Sequence, residues 1–333
     1  MHNMQTDPTL HQRRIPELGQ PSDQAGATSV GLHSEAWMQD GVKRVEQALT
    51  QLLGAGDDGE TELTAAMRYA TLNGGKRTRA LLCMAAGALA EASAATLDDV
   101  GAAIEMMHAC TLVHDDLPAM DDDVLRRGHP TVHVKFSEAT AILVGDALQA
   151  HAFLTLAGLD APADSRSALV RELAQAVSTG GAAGGQAMDL ALVGKTVELD
   201  TILKMHRMKT GALVRASVRM GALCTIAEND EHAELYEALD RYSDCFGMAL
   251  QVVDDILDAT ADKATLGKTP GKDAAAQKPT CASIMGLKAA RQFVLDLFGE
   301  ASEAIVPLGP DAQRLGQMLQ QAYAYLAKSA SCI

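Results

Sequence analysis

Apolar residues recur along this chain at three- and four-residue spacing almost continuously from Trp37 onward, which predicts helices rather than strands. Val42, Val45, Leu49, Leu52 and Leu53 fall on one helical face, and Gly54-Ala55-Gly56-Asp57-Asp58-Gly59 ends that helix. Further helices are predicted over 62–72, which stops at Asn73-Gly74-Gly75, and over 81–90, 98–117, 136–158, 165–180, 198–226, 231–259, 280–299 and 309–328. Turn residues separate them at Arg127-Gly128-His129-Pro130, Ala161-Pro162 and Leu266-Gly267-Lys268-Thr269-Pro270-Gly271. No run alternates β-branched residues long enough to make a strand. The pattern implies one all-α domain over 37–333, a single large helical bundle with its sites in a central cavity between helices.

Residues 1–36 differ from the rest. They carry Pro8, Pro16 and Pro21, several Gln and Gly, and no apolar core, so a disordered leader is expected there. No run of about 20 apolar residues is evident, so no membrane span is expected. The composition is 47% hydrophobic but only 3% aromatic, which favours a core of Ala, Leu, Val and Met. A net charge of −15 excludes a nucleic-acid partner in the usual basic-patch mode. It also requires local cations wherever an anionic substrate binds. The six cysteines form no CxxC pair, as expected of reduced thiols in a cytoplasmic protein.

Two acidic clusters carry the chemistry: Asp115-Asp116-Leu117-Pro118-Ala119-Met120-Asp121-Asp122-Asp123 and Asp254-Asp255-Ile256-Leu257-Asp258. Both end an apolar helical run with Val-x-Asp-Asp, and look like related solutions on opposite sides of one bundle. Carboxylates at buried helix ends repel one another unless a cation holds them, and hard oxygen ligands of this kind suit Mg²⁺ with a diphosphate. Asp254 and Asp258, four residues apart, return to within about 40° on one helical face. Asp115 and Asp121 would point apart on a straight helix, but Pro118 disfavours its continuation and lets the chain bulge back. A single acidic triplet is more often a solvated helix end; two clusters abutting apolar helices are harder to explain that way. Gly74-Gly75-Lys76-Arg77-Thr78-Arg79 adds three cations after a glycine turn, a natural anion cradle.

Taken in order, Gly74-Gly75-Lys76-Arg77-Thr78-Arg79, His108, Asp115 to Asp121, Arg126-Arg127-Gly128, Gly185-Gln186, Lys209-Thr210-Gly211, Gln251 to Asp258 and Leu266-Gly267-Lys268 resemble the trans-isoprenyl diphosphate synthases of the bacterial short-chain type, similar to farnesyl and geranylgeranyl diphosphate synthases. The resemblance spans about 40 to 330. It implies the isoprenoid synthase fold, a homodimer, and Mg²⁺ (three ions) held by Asp115, Asp116, Asp121, Asp254, Asp255 and Asp258. It also implies an allylic diphosphate (dimethylallyl, geranyl or farnesyl) on Arg126, Lys209, Lys268 and Lys278. Isopentenyl diphosphate is implied on Lys76, Arg79, His108 and Arg127. The Lys209 carbonyl, Thr210 and Gln251 would direct their dipoles at the carbocation. Two positions depart from the family pattern: Ala80 stands where Pro is usual, and Leu250 where Phe commonly precedes the Gln.

Product length should depend on the helix below Asp115. Thr111 lies one turn down and Cys110 about 7.5 Å down the axis. Farnesyl-producing bacterial relatives tend to have an aromatic floor at the Cys110 position. The small Cys110 therefore suggests a geranylgeranyl (C20) product, with farnesyl (C15) as the alternative. Three other classes were weighed. A terpene cyclase would be expected to have an Asn/Ser/Glu-like second motif. A non-catalytic synthase subunit would be expected to have lost a motif, and a purely structural bundle would show no Mg²⁺-dependent turnover.

Overall fold

The computed structural model describes residues 24–54, 56, 60–260 and 278–330. Helix α1 (Gln24–Leu52) begins inside the stretch expected to be a leader. α2 (Glu62–Leu72) has the bounds read from the sequence, because both ends are set locally. Thr61 accepts from the Thr64 N–H at the start, a short-range cap. α3 (Thr78–Leu89) and α4 (Ala94–Asp115) follow, the latter capped by Ser93.

After α4 comes a feature the sequence did not predict: Leu125–Arg126 pairs antiparallel with His129–Pro130. This two-residue ladder turns through Arg127 and Gly128, both at positive φ (53° and 79°). A short α5 (Val132–Lys135) leads into α6 (Glu138–Ala157) and α7 (Ala163–Val177). α8 (Ala182–Leu192) was also not predicted. The expected 198–226 helix is α9 (Leu199–His206), a π-helical turn (Arg207–Gly211) and α10 (Ala212–Leu223). α11 (Ala233–Thr260) carries the second acidic cluster. The expected 280–299 helix is broken by Gly286 (φ 82°) into α12 (Cys281–Met285) and α13 (Leu287–Ile305), and α14 (Gln313–Ala330) closes the described chain.

α4 sits at the centre, packed on α1, α3 and α6, while α10 joins α3 to α7 and α11, and α13 covers α11. Its middle is buried almost all round, from Val100 to Met107. Such burial all round an apolar helix fits one enclosed by neighbours. Small residues let these helices close up: a Cβ on Gly221 of α10 would lie 2.2 Å from the Cys83 carbonyl of α3. Among the described residues α6 is long and apolar enough to cross a membrane by length and composition alone, where no such run is expected from the sequence. It behaves as a bundle helix on one face, burying Ala141, Val144, Leu148, Ala152 and Leu156, and exposes Ile142, Leu143 and Leu154 on the other.

Candidate active site

The end of α4 folds back on itself as Pro118 suggested. The Asp121 N–H donates to the Asp115 carbonyl at 2.9 Å and the Asp123 N–H to the Asp116 carbonyl at 3.2 Å. This puts the Asp121 carboxylate within electrostatic reach of Asp115. Burial pushes the Asp115 carboxyl up to about 6, with Lys209 pulling it down and Asp121 pushing it further up. Burial, which disfavours the charged carboxylate, is the main cause.

Asp116 does not share that role. Arg126 grips it through a forked contact, Nε to both carboxylate oxygens at 2.9 and 2.8 Å and Nη2 at 2.5 Å. Asp116 is buried and Arg126 half-buried, so each group is the other's main partner. Asp116, expected to ligate metal, and Arg126, expected on the diphosphate, are thus placed directly against each other. The planar fork of Arg matches a carboxylate in two-point contact, and leaves neither group facing the cleft unpaired.

The second cluster divides in a similar way. Asp254 is exposed, and acts electrostatically on Arg79 across the cleft. Asp255, also expected to ligate metal, is buried and turned toward α9 and α12. Its Oδ2 accepts from His206 Nε2 at 3.2 Å and from the Cys281 N–H at 2.8 Å, and Gln251 Nε2 donates to Oδ1 at 3.4 Å. Asp258 is buried one turn beyond Asp254. Gln251 in turn accepts from Thr210 Oγ1 at 2.7 Å. A hydrogen-bonded chain thus runs from the π turn through Gln251 and Asp255 to His206.

The two clusters meet one cleft. Residues 278 to 281 tie them together, with Lys278 Nζ 2.9 Å from Asp121 Oδ1 and the Cys281 N–H on Asp255. Lys278 also lies 3.0 Å from Asp189 Oδ2, and Lys209 Nζ lies 2.6 Å from the same oxygen. Asp189 was not singled out from the sequence, although a lone acid in the apolar run after Gly185-Gln186 was a usable signal. Burial opposes its charge, yet Lys209 and Lys278 hold its carboxyl below the usual range. Asp189 and Asp121 hold Lys278 protonated well above its ordinary range against burial. Gly185 makes this geometry possible, since a Cβ there would sit 2.2 Å from the Lys209 backbone nitrogen. The π turn widens the helix at Lys209 and Thr210, as such turns commonly do at functional positions. Lys268 lies outside the described residues.

Beside this cleft lies a cavity of about 660 Å³ lined by Gly74, Gly75, Lys76, Arg79, His108 and Arg127, among others. Arg79 Nη1 is 3.1 Å from His108 Nε2. Burial, then Arg79 and Arg127, pushes the His108 ring well below its usual range, so it is neutral and accepts from Arg79. Arg77 also lines the cavity, but its side chain is engaged within the protein. It is buried, with Glu105 and Glu46 each at 3.5 Å and the Thr71 carbonyl at 2.9 Å, and it fixes the turn from below at φ 51°. Arg127 donates to the Gly74 carbonyl, and a Cβ on Gly75 would lie 2.7 Å from its guanidinium. Down α4, Cys110 is buried, and Thr111 Oγ1 donates to the His108 carbonyl at 2.8 Å.

Comparison with known proteins agrees with this arrangement. The family described as polyprenyl synthetase matches residues 60–306. A protein of Sinorhizobium fredii named probable farnesyl diphosphate synthase is 77% identical over 98% of this chain and 99% of its own length. The farnesyl diphosphate synthase of Escherichia coli is 46% identical over 80% of this chain and 89% of its own. The crystal structure of Helicobacter pylori geranyltransferase complexed with magnesium and isoprenyl diphosphate superposes with a TM-score of 0.77 at 29% identity, covering 89% of this chain and 98% of that one. With facing aspartate clusters, a cationic cavity beside them and relatives matched nearly end to end, this chain belongs to the polyprenyl synthetase family, as a prenyltransferase of the short-chain trans-isoprenyl diphosphate synthase type.

Proposed function

We propose that the chain condenses isopentenyl diphosphate with allylic diphosphates and releases farnesyl diphosphate (C15). The observation that carries this reading is the joining of both aspartate clusters at one cleft through Lys278 and Cys281, beside the Arg79–His108 cavity. The relatives' names favour C15 over the C20 product that Cys110 suggested.

The residues fit magnesium. Asp115 and Asp121 offer hard oxygen donors, and Asp254 and Asp258 offer more from the opposite side. Magnesium held there, three ions on the family resemblance, would supply the positive charge that stabilises diphosphate as it leaves. Lys209 and Lys278 would contact the allylic diphosphate, their ammonium groups held in place by Asp189. Lys76, Arg79 and Arg127 would receive isopentenyl diphosphate, and the neutral His108 would orient Arg79 toward it. Thr210 and Gln251, fixed by their mutual hydrogen bond, would present dipoles to the allylic cation. Holding both substrates in contact makes the condensation effectively unimolecular. The departing diphosphate is the base we assign to the last proton.

A C20 product is the second reading, favoured by the small buried Cys110 below Asp115. Labelled isopentenyl diphosphate with dimethylallyl diphosphate decides between them. A C15 end product is expected. A C20 product that Cys110→Tyr shortens would establish the second reading, and no magnesium-dependent elongation would overturn both. We further propose a cytoplasmic homodimer, with the exposed Ile142, Leu143 and Leu154 of α6 covered by a second copy. Sedimentation of the purified chain as a monomer would overturn that.

A further inference from the structure

Behind the second acidic cluster is a group of side chains that the proposed reaction does not use as ligands. His206 ends α9, Asp255 lies in α11 and Cys281 starts α12. One donor atom from each lies within 4.8 Å of the others, and all three residues are buried (3%, 4% and 0% exposed). The His206 Nε2 to Asp255 Oδ2 separation is already 3.2 Å, close to the spacing of two ligands on one small ion. His206 Nδ1 is buried with no hydrogen-bond partner. Among the described residues no Lys or Arg pairs with Asp255, which is held by a ring nitrogen, an amide and a backbone N–H.

We propose that His206, Asp255 and Cys281 form a site for a thiophilic divalent cation, of the zinc or cadmium class, separate from the oxygen-lined magnesium positions. Sulfur and imidazole donors select such ions, and magnesium avoids them. On binding, the Cys281 S–H bond breaks, the proton goes to solvent and a metal–sulfur bond forms. The imidazole binds in its neutral form, its single proton on the nitrogen that the ion does not take. Thiolate plus carboxylate then balance the dication, so that the loaded buried group is neutral. Drawing Asp255 toward the ion pulls it off Gln251, and so disturbs the Thr210–Gln251 contact. Bound metal therefore inhibits.

The test is titration of the purified full-length chain with cadmium ion in excess magnesium, following the ultraviolet cadmium–thiolate absorption. One ion per chain is expected, with a raised unfolding temperature as for any ligand of the native state. Cys281→Ser should weaken cadmium binding by more than the roughly 100-fold that loss of a supporting partner costs. The magnesium-dependent turnover that it retains should no longer be inhibited by cadmium. Cys281→Ala provides the same readout should the serine variant unfold, and Cys83→Ser should leave the band intact. A band that survives in both Cys281 variants, one that disappears in Cys83→Ser, one that magnesium displaces, or no band at all would overturn the proposal.

Discussion

The two acidic clusters begin with the same Val-x-Asp-Asp signature, yet the bundle supports them differently. In each, the first aspartate of the pair faces the cleft and the second turns inward. The inward partner of α4, Asp116, is held by a fully charged Arg126 fork, whereas that of α11, Asp255, is held by a histidine, an amide and a backbone N–H. One motif thus combines a ligand and an anchor, and the anchor's environment decides what else the site can tolerate. The α4 end is cross-linked by charge and lies in a loop that folds back. The α11 end is regular helix whose inward aspartate is held by a ring nitrogen, an amide and a backbone N–H, and it is tied to α12. Lys278 links the α4 end onward to Asp189, and so to Lys209.

Removing the cleft-facing members should have the largest effect. Asp115→Asn and Asp254→Asn are each expected to lower kcat by roughly 10²–10³-fold, the scale of losing one preorganised electrostatic contact. A change below tenfold in either variant would show that its cluster is not part of the site.

Breaking the anchors comes next and separates the two ends. Asp116→Ala leaves Arg126 without its fork, and should cost about 3–5 kcal/mol of stability as a broken, largely buried pair. Asp255→Ala removes acceptor oxygens but strands no Lys or Arg among the described residues, so it should unfold closer to wild type while still losing activity. Chemical denaturation of the two variants side by side checks this, and equal losses would erase the distinction drawn here.

Asp189→Asn should reduce kcat by about 10–100-fold, as loss of an outer-shell partner does. It should also tighten inorganic pyrophosphate binding, because two lysines lose their internal counter-anion. Weaker pyrophosphate binding would mean that Asp189 itself holds metal.

The pH dependence follows from Asp115, whose carboxyl is raised to about 6. A raised carboxylate pKa means that the native state holds the proton more tightly than the unfolded chain. Stability therefore falls as pH rises between about 4 and 6, and the burden is fully present at neutral pH. Turnover should rise through the same window as the ligand ionises. Asp115→Asn should remove the burden, and so raise Tm at pH 7 by a few degrees while abolishing the benefit at the site. A Tm difference that does not change between pH 4 and 7 would contradict this.

The smallest effect is expected at Asp122, which adopts φ 47° in the fold-back turn. Asn tolerates that region well, so Asp122→Asn should shift stability by less than about 0.5 kcal/mol.

Much of this was written in local sequence. The 3.6-residue periodicity and caps such as Thr61 and Ser93 fix most helices, because capping and amphipathicity act within one or two turns. The sequence also nominated the aspartates of both clusters, since clustered like charges beside apolar helices have few other uses, while His108, Lys209, Lys278 and Gln251 were nominated only through the family resemblance. What local pattern missed has a common cause. α8 starts in a run of Gly and Ala that carries no apolar stripe, and the π turn leaves no mark in the spacing of 198–226. Only the tertiary structure decided that Arg126 serves Asp116, that Asp255 looks inward to His206 and Cys281, and that Asp189 holds two lysines. Those pairings join residues 10 to 89 positions apart in the chain. Whether a charge is spent on a neighbour or kept for a ligand depends on which helices the packed core brings together, and spacing along one helix carries no record of that.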